Sequence, residues 1–205
     1  MTGKRMKDLL FVMIIITLGI LVACSNDDNS EAEEQQRIAD SIVQAALDNA
    51  AIDAYIESHG ITNIITEESG IRYTVLTEGN GRFAEFYEIV SIHYIGKFLT
   101  DTVFDTSIEQ VALANDIFNE NAIYQPLTFN HLPDGGGIGA TFLPQFTFGL
   151  GQLIPMMDLG SRAILFMPSA VGYGTTGDIF NPDVEDNIPP NTPLIFEFSM
   201  VNLRP

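Results

Sequence analysis

A single cysteine, Cys24, is the only thiol in this chain of 205 residues. No disulfide can form within it, and no cysteine-based metal site is possible. Histidine is nearly as scarce: His59, His93 and His131 are scattered, and none sits at ligand spacing from another. Cations are few as well, 9 Lys+Arg against 27 Asp+Glu, for a formal net charge of −18. A surface of that sign repels nucleic acid and anionic lipid headgroups, so no nucleic-acid partner is expected. Several catalytic signatures are missing: there is no G-x-S-x-G, no H-E-x-x-H and no Walker lysine. The run Gly135-Gly136-Gly137 is followed by no Lys-Ser/Thr and joins no strand directly to a helix, which makes it a flexible insertion rather than a phosphate loop. No cofactor and no metal is expected.

The start of the chain has a different character. Lys4, Arg5 and Lys7 precede an apolar run from Leu9 to Ala23, too short for a comfortable membrane span and of the form of a secretion signal. It ends Leu21-Val22-Ala23-Cys24, which resembles the lipobox of bacterial lipoproteins, where the cysteine is lipidated and becomes the mature N-terminus. The resemblance implies a signal peptide over 1–23 and attachment to a membrane through lipid on Cys24. Localisation would be outside the cytoplasm, at the outer membrane, on its periplasmic face or at the cell surface. Cleavage removes three basic residues and Asp8, leaving six Lys+Arg against twenty-six Asp+Glu, a net charge of −20. Attachment would then rest on acyl chains and not on a basic patch. Residues 24–34, with the acidic tract SNDDNSEAEE, read as a polar linker with nothing to bury. The tract is either a solvated spacer or similar to the surface-export signals of Bacteroidetes lipoproteins.

From Gln35 to His59 the apolar residues Ile38, Ile42, Ala46, Ile52 and Ile56 recur at helical spacing before Gly60, which predicts one amphipathic helix within a helical extension over 35–69. Past the Ser69-Gly70 break, Ile71–Leu76 alternates as a first strand and Gly79-Asn80-Gly81 closes it. The stretch Ile89–Ser107, IVSIHYIGKFLTDTVFDTS, is the most informative in the chain. Read with period two, Val90, Ile92, Tyr94, Gly96 and Phe98 share one face, so Tyr94 points inward. Leu99–Thr102 turns the chain. Val103-Phe104-Asp105 then sets a carboxylate beside a large aromatic, which is costly without a partner, and the Tyr94 hydroxyl is placed to supply one. Val111–Asn121 forms either a helix or an elaborated loop. Pro126–Asn130, Ala163–Met167 and Leu194–Leu203 read as further strands. Phe146–Met157 is a poor helix on propensity, with two glycines and Pro155, and would be held by packing of Phe148, Leu150, Ile154 and Met157. Strands with one short helix give an α+β class: an antiparallel β-sheet wrapped around a short central helix, preceded by an N-terminal helix.

HYIGKF and VFDTS resemble the HYTGKL…G…FDSS signature of the FK506-binding-protein (FKBP) family of peptidyl-prolyl isomerases. Later blocks follow in the family's order: Met157-Asp-Leu-Gly-Ser-Arg-Ala163, Met167-Pro-Ser-Ala-Val-Gly-Tyr-Gly174 and Ile188-Pro-Pro-Asn-Thr-Pro-Leu-Ile-Phe-Glu-Phe198. The resemblance implies a single domain over 70–205, with insertions at about 108–125 and 130–145. It implies an isomerase of X-Pro bonds whose partners are proline-containing exported polypeptides. Residue by residue, it places Tyr94, Phe104, Asp105, Tyr173, Ile188 and Phe196 around the pocket, with Asp105 and Tyr173 as the catalytic pair. Main-chain ligand contacts fall to Phe146 and Thr147. Two departures stand out: Leu150 occupies the place of the family's floor tryptophan, and Leu127 that of a wall phenylalanine. A leucine floor offers the proline less flat apolar surface and implies a modest isomerase. The loop Thr175–Asn187 carries Asp178, Asp183, Glu185 and Asp186, but without the every-second-residue spacing of a calcium loop. Two other functions remain open: a prolyl-peptide binding or chaperone module with faded catalysis, and an accessory lipoprotein of a surface machine of the gliding type.

The lipobox reading is directly testable, since only a thiol can take a thioether-linked lipid. Cells fed radioactive fatty acid should label the wild-type chain and leave the Cys24→Ser variant unlabelled and at precursor mass; label on the variant would refute the assignment.

Overall fold

The computed structural model describes residues 27–133, 137, 144–178 and 188–205. The segment read as a signal peptide, Cys24, most of the 130–145 insertion, and Asp183, Glu185 and Asp186 lie outside them. The chain divides into two units, 1–42 and 43–205. In the first, the described residues are helical, and from Ser30 to Ile42 every one is exposed. They belong to helix α1, Asp27–Ser58. The acidic linker expected over 24–34 is therefore helical from Asp27 onward. Glu, Ala and Gln are good helix formers, so the tract continues the helix, and from Ser30 to Glu34 it is exposed.

The second unit is built on one antiparallel sheet: β1 (Ile65–Thr66), β2 (Arg72–Thr77), β3 (Ile89–Phe98), β4 (Val103–Thr106), β5 (Leu127–Asn130), β6 (Arg162–Met167) and β7 (Leu194–Arg204). The order is β1-β2-β6-β7-β3-β4, and β5 pairs with β3 beside β4. β3 carries the arrangement, pairing with β7 along its whole length and with β4 and β5 on its other edge. Helix α2 (Glu109–Ala114) follows β4, and helix α3 (Pro144–Leu153) runs into a 3-10 turn at Ile154–Met156. The first strand thus begins one residue later than the alternation suggests, and the short β1 was not read in the sequence at all. Two residues of Ile-Thr carry too little period to detect.

Side-chain alternation assigns each face of the sheet to one helix. Ala163, Leu165 and Met167 of β6 join Leu194, Phe196 and Phe198 of β7, Val90 and Ile92 of β3, and Phe146, Leu150, Leu153, Ile154 and Met157 in one core. Ile164, Phe166 and Ile195 point the other way and pack with Ile52 and Tyr55 of α1. β6 is therefore buried on both faces, which explains its unbroken apolar sequence. Two sequence expectations change here. Phe148 is exposed and takes no part in holding α3, while Leu150, Ile154 and Met157 do. Ile38 and Ile42 of α1 are exposed as well; the buried positions of that helix are Asp48, Ile52 and Tyr55.

Within this unit, polar bonds fasten the last part of α1, Asp48 to Tyr55, to the sheet and its turns. Arg72 of β2, itself buried, pairs with Asp53 and donates to Asn49 Oδ1 at 3.0 Å. Tyr55 donates to Asp101 at 2.7 Å, in the turn between β3 and β4, and burial together with that carboxylate pushes the Tyr55 phenol far up. Asp48, 2% exposed, accepts from the backbone N–H of Ser169 at 2.7 Å and from its hydroxyl at 2.6 Å. Asp158 accepts the N–H groups of Gly81 and Gly79 at 2.6 and 2.7 Å, which hold its carboxyl below the usual range. Removing the Asp48 carboxylate leaves two buried donors of Ser169 without acceptors, at about 1–3 kcal/mol each before relaxation. Asp48→Ala should melt roughly 4–12 °C below wild type; scanning calorimetry that finds no change would show that Ser169 is satisfied elsewhere.

Candidate functional site

Between β4 and the turn after β6 the surface opens into a cleft of about 1240 Å³. Five of the nine pocket residues expected from the sequence line it: Tyr94, Phe104, Asp105, Tyr173 and Ile188. Leu127 lines it as well. Their placement follows from short-range rules. Gly96 on β3 pairs with Asp105 on β4, and a Cβ at Gly96 would lie 2.7 Å from the Phe104 ring. The glycine of HYIGKF is thus what lets the phenyl ring lie across β3. Phe104 then meets Phe98 at 5.1 Å between ring centroids and Phe196 edge-on at 5.9 Å, and Phe196 meets Phe146 edge-on at 4.8 Å. Such edge-to-face contacts add to the area they bury.

The Tyr94 hydroxyl donates to Asp105 Oδ2 at 2.7 Å. Burial, with Asp105 beside it, drives the Tyr94 phenol far above its ordinary value, so it remains a donor throughout the physiological range. Contrary to the expectation of a carboxylate in costly burial beside Phe104, Asp105 is exposed, and Tyr94 is the more buried partner. The carboxylate is solvated, and the phenol is the group that needs the bond. Two hydroxyls that sequence reasoning passed over fix the tyrosine backbone. Ser107 Oγ accepts from Tyr94 N–H at 2.9 Å, and Thr106 Oγ1 donates to Tyr94 C=O at 2.9 Å. The consecutive hydroxyls of VFDTS were the available signal.

Tyr173 stands on the turn after β6, where Ser169 C=O accepts the N–H groups of Gly172 and Gly174 at 3.0 and 2.9 Å. Its phenol is raised by burial first, then by the Asp178 and Asp105 carboxylates, and its hydroxyl has no hydrogen-bond partner among the described residues. Ile188 is brought against this turn by Gly177, at φ +69, where a Cβ would meet Ile188 O at 2.3 Å; Asp178 N–H donates to the same oxygen at 2.9 Å. The other four expected residues are not on the lining. Phe146, Leu150 and Phe196 are buried in the core, Leu150 completely, and Thr147 is half-buried on α3. Leu150 belongs to the core cluster against which Tyr94, Phe104, Leu127 and Tyr173 pack, and it is not on the cleft wall. The segment expected to be an insertion over 108–125 also reaches the cleft: after α2, residues Asp116 to Gln125 line it.

Against this geometry the comparisons are decisive for family. The sequence model described as FKBP-type peptidyl-prolyl cis-trans isomerase matches residues 81–201, more than half of the chain. The chain belongs to this family. Among curated relatives, the FKBP-type 22 kDa peptidyl-prolyl cis-trans isomerase of Escherichia coli is 27% identical over 136 residues, 66% of this chain and 51% of that protein. FkpA of Aeromonas hydrophila is 27% identical over 137 residues, 67% of this chain and 39% of that protein. The chain thus spans about half, or less, of the length of these relatives. Among solved structures, a peptidyl-prolyl isomerase from Pseudomonas syringae is 22% identical with a TM-score of 0.44, covering 76% of this chain and 95% of that one. AtFKBP13 is 23% identical with a TM-score of 0.47, covering 69% and 98%.

The FKBP frame makes the Tyr94–Asp105 pair the first target for mutation. Because Asp105 is exposed, Asp105→Asn should leave the melting temperature within about 2 °C of wild type, a change of at most ~0.5 kcal/mol. It should weaken binding of a proline peptide several-fold. Equal losses in melting and in peptide affinity would make Asp105 a structural residue.

Proposed function

We propose that this cleft binds X-Pro segments and accelerates their cis-trans isomerisation. The observation that carries the reading is the convergence of Tyr94, Phe104, Asp105, Tyr173 and Ile188, from four separate stretches of sequence, on one opening. Rotation about an X-Pro bond faces a barrier of ~20 kcal/mol because the twisted amide loses its resonance. No nucleophile is needed. A site lowers the barrier by burying the pyrrolidine ring, stripping water from the carbonyl and presenting dipoles that favour the twisted form. Phe104 and Ile188 supply apolar wall. Tyr173 supplies a protonated hydroxyl with no competing partner among the described residues, suited to donate to the carbonyl oxygen. The Asp105 carboxylate, aligned by Tyr94, would present a fixed negative charge to the carbonyl carbon, which grows more electrophilic as resonance is lost.

The proposal extends to place and clients. Basic residues, a short apolar run and Leu21-Val22-Ala23-Cys24 support a chain anchored by lipid outside the cytoplasm, where it would assist exported proteins containing proline. The family membership supports the reaction. Purified full-length chain should speed the relaxation of a Leu-Pro peptide after a solvent jump. Tyr173→Phe, which removes a bond worth about 1 kcal/mol, should lower kcat/KM by roughly fivefold. A wild-type chain that binds the peptide without accelerating it would be a prolyl-peptide binder and not an isomerase.

A further inference from the structure

One wall of the cleft comes from no strand of the sheet. The segment Asp116–Gln125 begins with Asp116 at φ +59 and folds on itself by stacking Phe118 on Tyr124, centroids 5.6 Å apart. Asn119 N–H donates to the Tyr124 hydroxyl at 2.9 Å, which closes this loop on its own side chain. Ile123 in the same segment is 79% exposed. Asp116 and Glu120 line the cleft from this side, while Asp105 and Asp178 line it from the strand and turn sides. No lysine or arginine lines it among the described residues, and neither Asp116 nor Glu120 is in an ion pair among them. A cleft of about 1240 Å³ also exceeds what one proline fills, so neighbouring residues of a client must lie in it.

We propose that the inserted wall selects clients in which a lysine or arginine flanks the proline. The cationic head would lie by Asp116 and Glu120, and the aliphatic stem along the exposed faces of Phe118 and Tyr124. Stem on aromatic surface with head toward carboxylate is the favoured disposition of both basic side chains. Electrostatic complementarity of this kind raises the encounter rate and discriminates between partners more than it adds affinity. The inference rests on the X-Pro reading of the cleft and adds its substrate class. The chain's overall charge of −18 attracts any cation, so the local wall must be separated from the general field.

The experiment uses the purified full-length chain and three fluorescent peptides, identical except that the residues on both sides of proline are Lys, Leu or Glu. Isomerisation rate and binding by anisotropy are measured for each. In low salt, Lys should exceed Glu by roughly five- to tenfold in kcat/KM or affinity, and the gap should shrink to about twofold in 1 M salt. Asp116→Asn combined with Glu120→Gln should cut the Lys-to-Glu ratio by roughly threefold. The equal charge change Glu57→Gln with Glu78→Gln, at exposed positions away from the cleft, should leave the ratio alone. Catalysis with no Lys preference overturns the selectivity and leaves the isomerase standing. A preference lowered equally by both double variants also overturns it, because the general field is then sufficient. Binding that prefers Lys and loses the preference in the Asp116/Glu120 variant, without any acceleration, upholds the selectivity and removes the catalysis. If no peptide is bound or turned over, both readings fall.

Discussion

The antiparallel pairing of β3 with β7 is the constraint on which the site depends. It runs from Ile89 opposite Arg204 to Phe98 opposite Leu194, with one irregularity at Ser91/Ile92. Gly96 is the crossing point, with Phe196 of β7 on one side and Asp105 of β4 on the other. The same row continues through Leu165 of β6 to Tyr73 of β2. Side chains alternate with period two, so a slip of one residue in β3 would turn Tyr94 away from Asp105 and put a side chain beneath the Phe104 ring. Register, more than any single bond, places the phenol, the carboxylate and the aromatic wall together.

Much of this was legible because strands announce themselves by period and turns by composition. The inward face of β3, the turn at Leu99–Thr102 and the Tyr94–Asp105 partnership all follow from one stretch and hold in the structure. Other features were hidden for identifiable reasons. Asp48 and Asn49 are polar residues on the buried side of α1, so a search for apolar spacing selected Ile38 and Ile42, which are exposed. Phe148 looked like an anchor of α3 because it is aromatic, although its neighbours Gly149 and Leu150 are the residues in the core; a Cβ at Gly149 would meet Leu165 at 2.7 Å. The wall from Asp116 to Gln125 has no regular period, and what it does depends on which distant residues it faces.

Electrostatics divides the two tyrosines of the cleft by their neighbours. Tyr94 is tied to Asp105, and its bond orients the carboxylate. Tyr173 senses both Asp178 and Asp105 while keeping its hydroxyl unengaged among the described residues. Burial first, and neighbouring carboxylates after it, raise both phenols, yet one is committed to Asp105 and the other has no hydrogen-bond partner among the described residues.

The Asp48–Ser169 contact has an implication for how such a fold can be moved between proteins. The turn that carries Tyr173 is braced by a residue more than a hundred positions earlier, on a helix that also covers Ile164, Phe166 and Ile195. The match to the family model begins at residue 81, past that helix. A gene fragment cut at the edge of the similarity would keep every cleft residue and lose the brace, leaving a greasy sheet face open to solvent. The segment matched by the family model and the self-sufficient body are therefore different lengths of chain, and grafting that respects only the first would yield a protein prone to aggregate.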